Sequence, residues 1–299
     1  MTGVLLVDKP EGTTSAGVIR ALKPRLGRAK AGHLGTLDPF ASGLLPLCLG
    51  EATKVARYLL VEEKAYEGTI RLGTATDTLD RTGTPVDTAP VPALAQAALD
   101  TLAARFTGRQ QQVPPMYSAL KRDGVPLYAL ARRGLEVERA PREITIDRLE
   151  LVLRAPDRID FRLVCSKGTY VRVLAADLGR ALETRAHLER LRRTRVGAFR
   201  VEDATALEAL LALAPAATLP ALAVREALAG YPAFAAPSPE ALERLRRGQQ
   251  EPLARLPAPR AVGETALLLD PAGNVAAIIE AAGARPAWRL VRLLCDTVS

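Results

Sequence analysis

The chain has 299 residues, 48% of them hydrophobic and 25% charged, which suits one large folded domain with a smaller companion. No run approaches the ~20 apolar residues of a membrane span, and the opening MTGVLLVDKP lacks the apolar core and cleavage site of a secretory leader, so a cytoplasmic protein is expected. Lys and Arg number 41 against 33 Asp and Glu, a formal net charge of +8. Residues 200–299 hold 10 arginines and 11 carboxylates, so the excess lies in residues 1–199, with 31 basic against 22 acidic groups. A basic N-terminal two-thirds suggests a polyanionic partner, although a codon bias toward arginine explains the count equally well. Cys48, Cys165 and Cys295 are far apart and form no CxxC, so neither a disulfide framework nor a zinc site is expected, and no cofactor is called for.

In chain order, GVLLVDKP reads as a strand and TTSAGVIRALKPRLG as a helix with a Ser/Thr start and a Pro-Gly stop. GEATKVARYLLVEEK has helical spacing, and AYEGTIRLG alternates as a strand with Tyr66, Gly68, Ile70 and Leu72 on one face. TATDTLDRTGTPVD is expected to be loop, VPALAQAALDTLAARF a helix with Pro92 near its start, and TGRQQQVPPMYSALKRDGVPL mostly irregular. A short helix, YALARRG, ends at Gly134. Strands follow at EITIDRLELVLR and RIDFRLVCS, then a helix through YVRVLAADLGRALE and a basic segment, RAHLERLRRTRVGAFR. From about Thr205 the Ala/Leu/Pro-rich texture reads as helix and connector. Beyond Phe234 come a helix, SPEALERLRRG, and strand-like runs TALLLD, VAAIIE and WRLVRLL. The predicted fold is α+β with a mixed or antiparallel sheet and a small β-rich C-terminal domain.

Three polar features sit in apolar frames. In GHLGTLDPFASGLL, Asp38 is a carboxylate in a run that does not readily accept one unless it is paired, and Pro39 restricts it to an extended conformation. In CSKGTYVRV, Tyr170 and Arg172 project two residues apart, and Arg172 is the candidate partner for Asp38, because a guanidinium holds a carboxylate ionised through paired hydrogen bonds. Tyr66 lies in KAYEGTIRLG. Taken singly, each has a plainer reading: a turn aspartate, a helix-surface arginine, a core aromatic.

Together, LLVDKPEGTTS, GHLGTLDPFASGLLPLCLGEATKV, KAYEGTIRLGTATDTLDRTG, PPMYSALKRDGVPLYALARRG, CSKGTYVRVLAADLG and AHLERLRRTRVGAF resemble, in order and spacing, the TruB family of pseudouridine synthases. The resemblance covers residues 3 to about 200. It implies a pseudouridine synthase catalytic core over 1–203, with 109–139 an insertion that clasps RNA, a helical connector over 204–233, and a PUA-like RNA-binding domain over 234–299. It implies isomerisation of uridine 55 in the T-loop of tRNA by a monomer. It also implies that Asp38 is the catalytic aspartate, that Tyr66 stacks on the target base and that Arg172 pairs with Asp38. By the same resemblance His33 sits beside the flipped nucleotide, Tyr170 and Leu191 line the uracil pocket, Lys9 and Pro10 form an N-terminal motif, and the six arginines from Arg185 to Arg200 contact the RNA backbone.

Two other readings stay open on the residues alone. One is an RNA-binding protein without catalysis. The other is a glycosidic-bond hydrolase using Asp77 and Asp80 of DTLD as paired acids. His187 reads as a helix- or strand-end residue.

Overall fold

A computed structural model describes residues 1–59, 63–122, 124–214, 217–283 and 287–294; Cys295 lies outside them. The body is a mixed sheet, eleven strands among the described residues, built on β1 (Gly3–Lys9), β2 (Ser42–Leu49), β3 (Lys64–Leu72), β4 (Gly108–Gln112), β5 (Arg142–Ala155), β6 (Arg158–Cys165) and β7 (Ala186–Val196). The order is β1-β2-β7-β3-β6-β5-β4. Neighbours are antiparallel except β2 and β7, which run parallel where Ser42 faces Arg192 and Gly43 faces Arg193. The fold is thus α+β with a mixed sheet.

Helices α1 (Ser15–Leu26), α2 (Gln96–Phe106) and α3 (Val171–Ala181) bury Val18, Leu22, Leu99, Leu102, Leu174 and Leu178 in the cluster that also holds Leu5, Leu47, Ile70, Ile146 and Phe161 of the sheet. At the β1-β2 end the opposite face is covered too. There Val4, Leu6, Leu44 and Cys48 share a second cluster with Leu267, Leu269 and Ile278 of a four-stranded C-terminal sheet, formed by β8 (Ala233–Ala235), β9 (Thr265–Leu269), β10 (Val275–Ala281) and β11 (Trp288–Leu293). Burial on both faces is why GVLLV and LLPLCL read as unbroken apolar runs, whereas β5 and β6, open on one face, alternate. No helix among the described residues is long and apolar enough to cross a membrane.

Several expected elements differ. Helix α1 does stop at Gly27 as expected, with Pro24 inside its last turns; the carbonyl that Pro24 releases belongs to Arg20, an exposed residue. GEATKVARYLL breaks into a 3-10 turn, Gly50–Lys54, and one α turn, Ala56–Leu59, although its buried residues Ala52, Val55 and Leu59 keep the helical spacing. The loop TATDTLDRTGTPVD contains a hairpin, Thr74–Thr76 with Pro85–Thr88. Helix α2 begins four residues past Pro92. The stretch GRQQQ joins the sheet against β5, and the basic segment is the central strand β7.

Gly43 marks a close approach of two strands of the sheet. Its φ is +102°, and a Cβ there would lie 2.3 Å from the Arg193 carbonyl oxygen. Gly43→Ala is expected to lose about 2–5 kcal/mol of stability, from a left-handed alanine and a backbone clash together, read from a urea unfolding midpoint.

Candidate active site

The turn between residues 33 and 41 is fastened from several directions. Ser15, next to the helix-capping Thr14, exchanges two hydrogen bonds with Leu37: its hydroxyl donates to the Leu37 carbonyl at 3.1 Å and accepts from the Leu37 amide at 2.8 Å. The Gly12 amide donates to the Pro39 carbonyl at 2.8 Å and the Leu34 amide to Pro46 at 2.9 Å. Lys9, fully buried at the end of β1, donates through Nζ to the carbonyls of Pro10 and Thr13 at 2.8 Å and of Pro39 at 3.5 Å. Every bond of this set holds backbone, so the Asp38 side chain is left free to point away from it.

It points to Arg172. From the first turn of α3, Nε donates to Asp38 Oδ2 at 2.8 Å and Nη2 to Oδ1 at 3.2 Å, the paired geometry expected of a guanidinium and a carboxylate. The remaining donors go to the carbonyls of Thr78 at 2.8 Å and Tyr117 at 2.7 Å. The Arg172 side chain is 5% exposed and that of Asp38 34%, so the cation is sealed while its carboxylate keeps an open side for a substrate. A second carboxylate, Asp80, lies 3.7 Å from Nε, buried and held by Thr78 Oγ1 at 2.9 Å and by the Thr82 amide and hydroxyl at 2.9 and 2.6 Å. Between Thr78 and Asp80, Leu79 adopts φ +61°, a strained conformation for leucine that lets the loop present the Thr78 carbonyl to Arg172.

Tyr66 on β3 and Leu191 on β7 are buried in the same cluster as α3. Burial pushes the Tyr66 phenol up to about 12, and the neighbouring Arg193 guanidinium pulls against that rise. Tyr170 stands at the start of α3, clamped by Gln112: its amide donates to the Gln112 side chain at 2.8 Å and its carbonyl accepts from it at 3.2 Å. Burial raises the Tyr170 phenol as well. His33 is half-buried, and its Nδ1 has no partner among the described residues. Burial lowers its pKa, which keeps the ring neutral at neutral pH. The structure therefore gathers Asp38, Arg172, Lys9 and Tyr66 at one end of the sheet. Asp80 and Gln112, which support the site, were not singled out for that role; the only signal was the Thr/Asp-rich text around Asp80.

Other expectations need correction. Asp77 accepts from the Thr84 amide at 2.8 Å and Asp80 is spent beside Arg172, so DTLD is no pair of facing acids. Of the six arginines, Arg193 is buried and cannot reach a phosphate; Arg192 pairs with Asp8 at 2.7 Å, Arg195 with Glu63 at 2.5 Å and Arg185 with Asp87. Only Arg190 and Arg200 of the six are exposed. His187 takes a structural bond from Nδ1 to the Thr74 carbonyl at 2.8 Å. Cys48 and Cys165 are buried thiols pushed up to about 12 and about 11.

Lys9 gives the fold a pH signature. Desolvation lowers its pKa from 10.5 to about 8, the nearby Asp38 acting in the other direction. Below about 8 the ammonium is charged both folded and unfolded, and the cost of burying it is present in full. Between about 8 and 10.5 the unfolded chain binds the proton that the folded chain has released, so stability rises with pH. The wild type is expected to gain stability relative to Lys9→Met across that window, measured by urea unfolding at stepped pH.

Residues 23–171 match the model of the TruB family pseudouridylate synthase N-terminal domain, and residues 172–228 that of the tRNA pseudouridylate synthase B C-terminal domain. A protein of Aromatoleum aromaticum named tRNA pseudouridine synthase B is 55% identical over 229 residues, covering 77% of this chain and 74% of its own. The Bordetella pertussis protein of that name is 48% identical over 232 residues, covering 77% of this chain and 95% of its own. The chain belongs to the TruB family. Its fold is also that of the H/ACA ribonucleoprotein structure bound to a substrate RNA containing 2′-deoxyuridine, with a TM-score of 0.70 over 99% of this chain and 86% of that one at 22% identity. The two TruB family models abut between residues 171 and 172, at the first turn of α3. The Asp38–Arg172 pair therefore joins a residue of the first matched region to the first residue of the second.

Proposed function

We propose that this TruB family protein isomerises uridine 55 in the T-loop of tRNA to pseudouridine, with Asp38 as the catalytic carboxylate, Tyr66 against the target base and Arg172 as the residue that orients Asp38. The observation that carries this reading is the Asp38–Arg172 pair, with its sealed guanidinium and half-open carboxylate. The reaction breaks the N1–C1′ bond, turns the uracil and rejoins it through C5, with no net redox change. A charged carboxylate meets the positive character that develops on the sugar as that bond breaks, as in glycosidases. A base inside a folded loop is out of reach, so the uridine is flipped out onto Tyr66, with His33 beside the vacated space and Tyr170 and Leu191 walling the pocket. His33, neutral and half-buried, suits contact with bases rather than phosphates. Residues 109–139 and 234–299 grip the T-arm in this reading, and the protein works as a monomer in the cytoplasm.

The test is incubation of a T-arm transcript followed by digestion to nucleosides. Pseudouridine at position 55 with unchanged RNA mass is expected. Release of uracil would point to a hydrolase, and binding without change to a non-catalytic RNA-binding protein. The basic excess of residues 1–199 gives a second expectation: tRNA affinity falls steeply with salt, because each neutralised phosphate releases counterion. A flat plot of log affinity against log salt overturns the assignment of that basic excess to RNA.

A further inference from the structure

Arg193 is 1% exposed, yet it forms no ion pair with a carboxylate among the described residues, whereas its neighbours Arg192 and Arg195 do. A buried cation without a counter-ion is costly, and an apolar side chain of similar length would fill the space without that cost. The donors instead reach the backbone on both sides of Asp38: Nε to the Leu44 carbonyl at 2.8 Å, Nη2 to Gly35 at 3.1 Å and Nη1 to Thr36 at 3.4 Å. Arg193 is also the direct cross-strand partner of Tyr66, β7 against β3. Side chains opposite one another on one face of an antiparallel pair are in contact distance.

We propose that Arg193 is a positioning residue for the reaction, locking the Asp38 turn to the strand pair that carries Tyr66 and holding positive charge against the Tyr66 oxygen. Carboxylate and phenol thereby meet the flipped base in one fixed geometry. The inference rests on the reading of the chain as a uridine isomerase. The charge interaction supports it: Arg193 is the chief influence opposing the rise that burial imposes on the Tyr66 phenol.

The experiment compares wild type, Arg193→Lys and Arg193→Met in single-turnover conversion of a T-arm transcript at saturating enzyme, with tRNA affinity and thermal unfolding measured on each. Met fills the space and removes the charge; Lys keeps the charge and one or two of the bonds. Arg193→Met is expected to bind tRNA within about twofold of wild type and to convert it at least about 30-fold more slowly. Arg193→Lys is expected to be at least about fivefold faster than Arg193→Met, although its melting point is no higher. In a Tyr66→Phe background the gap between Lys and Met should close, because the oxygen the charge acts on is gone. Lys and Met variants equally slow, a rate that follows melting point rather than charge, or a loss confined to tRNA affinity overturns the inference while leaving the activity standing. A wild type that binds and converts nothing overturns the activity itself. If Arg193→Met does not fold, Arg193→Gln replaces it as the uncharged variant, and a Gln rate within about fivefold of the Lys rate overturns the proposal.

Discussion

Asp38→Asn is expected to bind a T-arm transcript with near wild-type affinity and to convert it at least about 10⁴-fold more slowly in a single turnover at saturating enzyme. Asparagine preserves the size of the side chain and one acceptor oxygen, so the turn held by Ser15, Gly12 and Lys9 is not disturbed. What is lost is the negative charge and the nucleophilic oxygen on the open side of the pair. The stability cost should be modest, about 1–3 kcal/mol, since Arg172 keeps its bonds to the Thr78 and Tyr117 carbonyls and the nearby Asp80 carboxylate. Rate and stability thus separate in this variant, and a wild-type rate from a folded Asp38→Asn protein would remove Asp38 from the mechanism.

Arg172→Lys is expected to keep tRNA binding and lose about 10²–10³ in rate. The guanidinium divides its donors among four acceptors in fixed directions: both oxygens of Asp38 and two carbonyls from separate loops. A single ammonium satisfies at most part of that set, and the carboxylate swings out of register with the sugar. Arg172→Met goes further. It leaves Asp80 and Asp38 near one another with no cation between them, and about 3–5 kcal/mol of stability should go with it, read from urea unfolding. A lysine variant with wild-type kinetics would mean that charge alone, not the fork, is what Asp38 requires.

The sequence makes legible what repeats locally and hides what depends on a slip of register. The run GVLLV, the strands β5 and β6 and the Ser/Thr start of α1 are each set by neighbours a few residues away, and each folds as expected, whereas the strand at LLPLCL was not singled out. The Asp38–Arg172 pair spans 134 positions, and the residue types suggested it only because a carboxylate in apolar surroundings needs a partner. Arg193 was misplaced for a definite reason. In AHLERLRRTRV the inward residues are Ala186, Leu188, Leu191, Arg193 and Val196, not a period-two series, because irregularities after Leu188 and after Arg193 each insert a residue. Without those bulges the segment scans as a basic stripe. Gln112 escaped, and Asp80 was read only as half of an acid pair, because the contacts that tie them to the site, Asp80 beside Arg172 and Gln112 on the Tyr170 backbone, come from far along the chain.

The two ends of the large sheet are finished differently, and the finish decides how the protein behaves in a crowded solution. At one end β1 would offer a free row of amides and carbonyls, but Thr205–Ala206 and Ala221–Leu222 lie along it. At the other end β4 is the short polar stretch GRQQQ, followed after Val113 by Pro114 and Pro115. One border is capped by the chain's own backbone; the other is too short, too hydrophilic and too soon broken by proline to template another strand. A sheet this wide would otherwise hold out two long rows of unpaired backbone groups, and these two finishes leave little of either row for another strand to pair with.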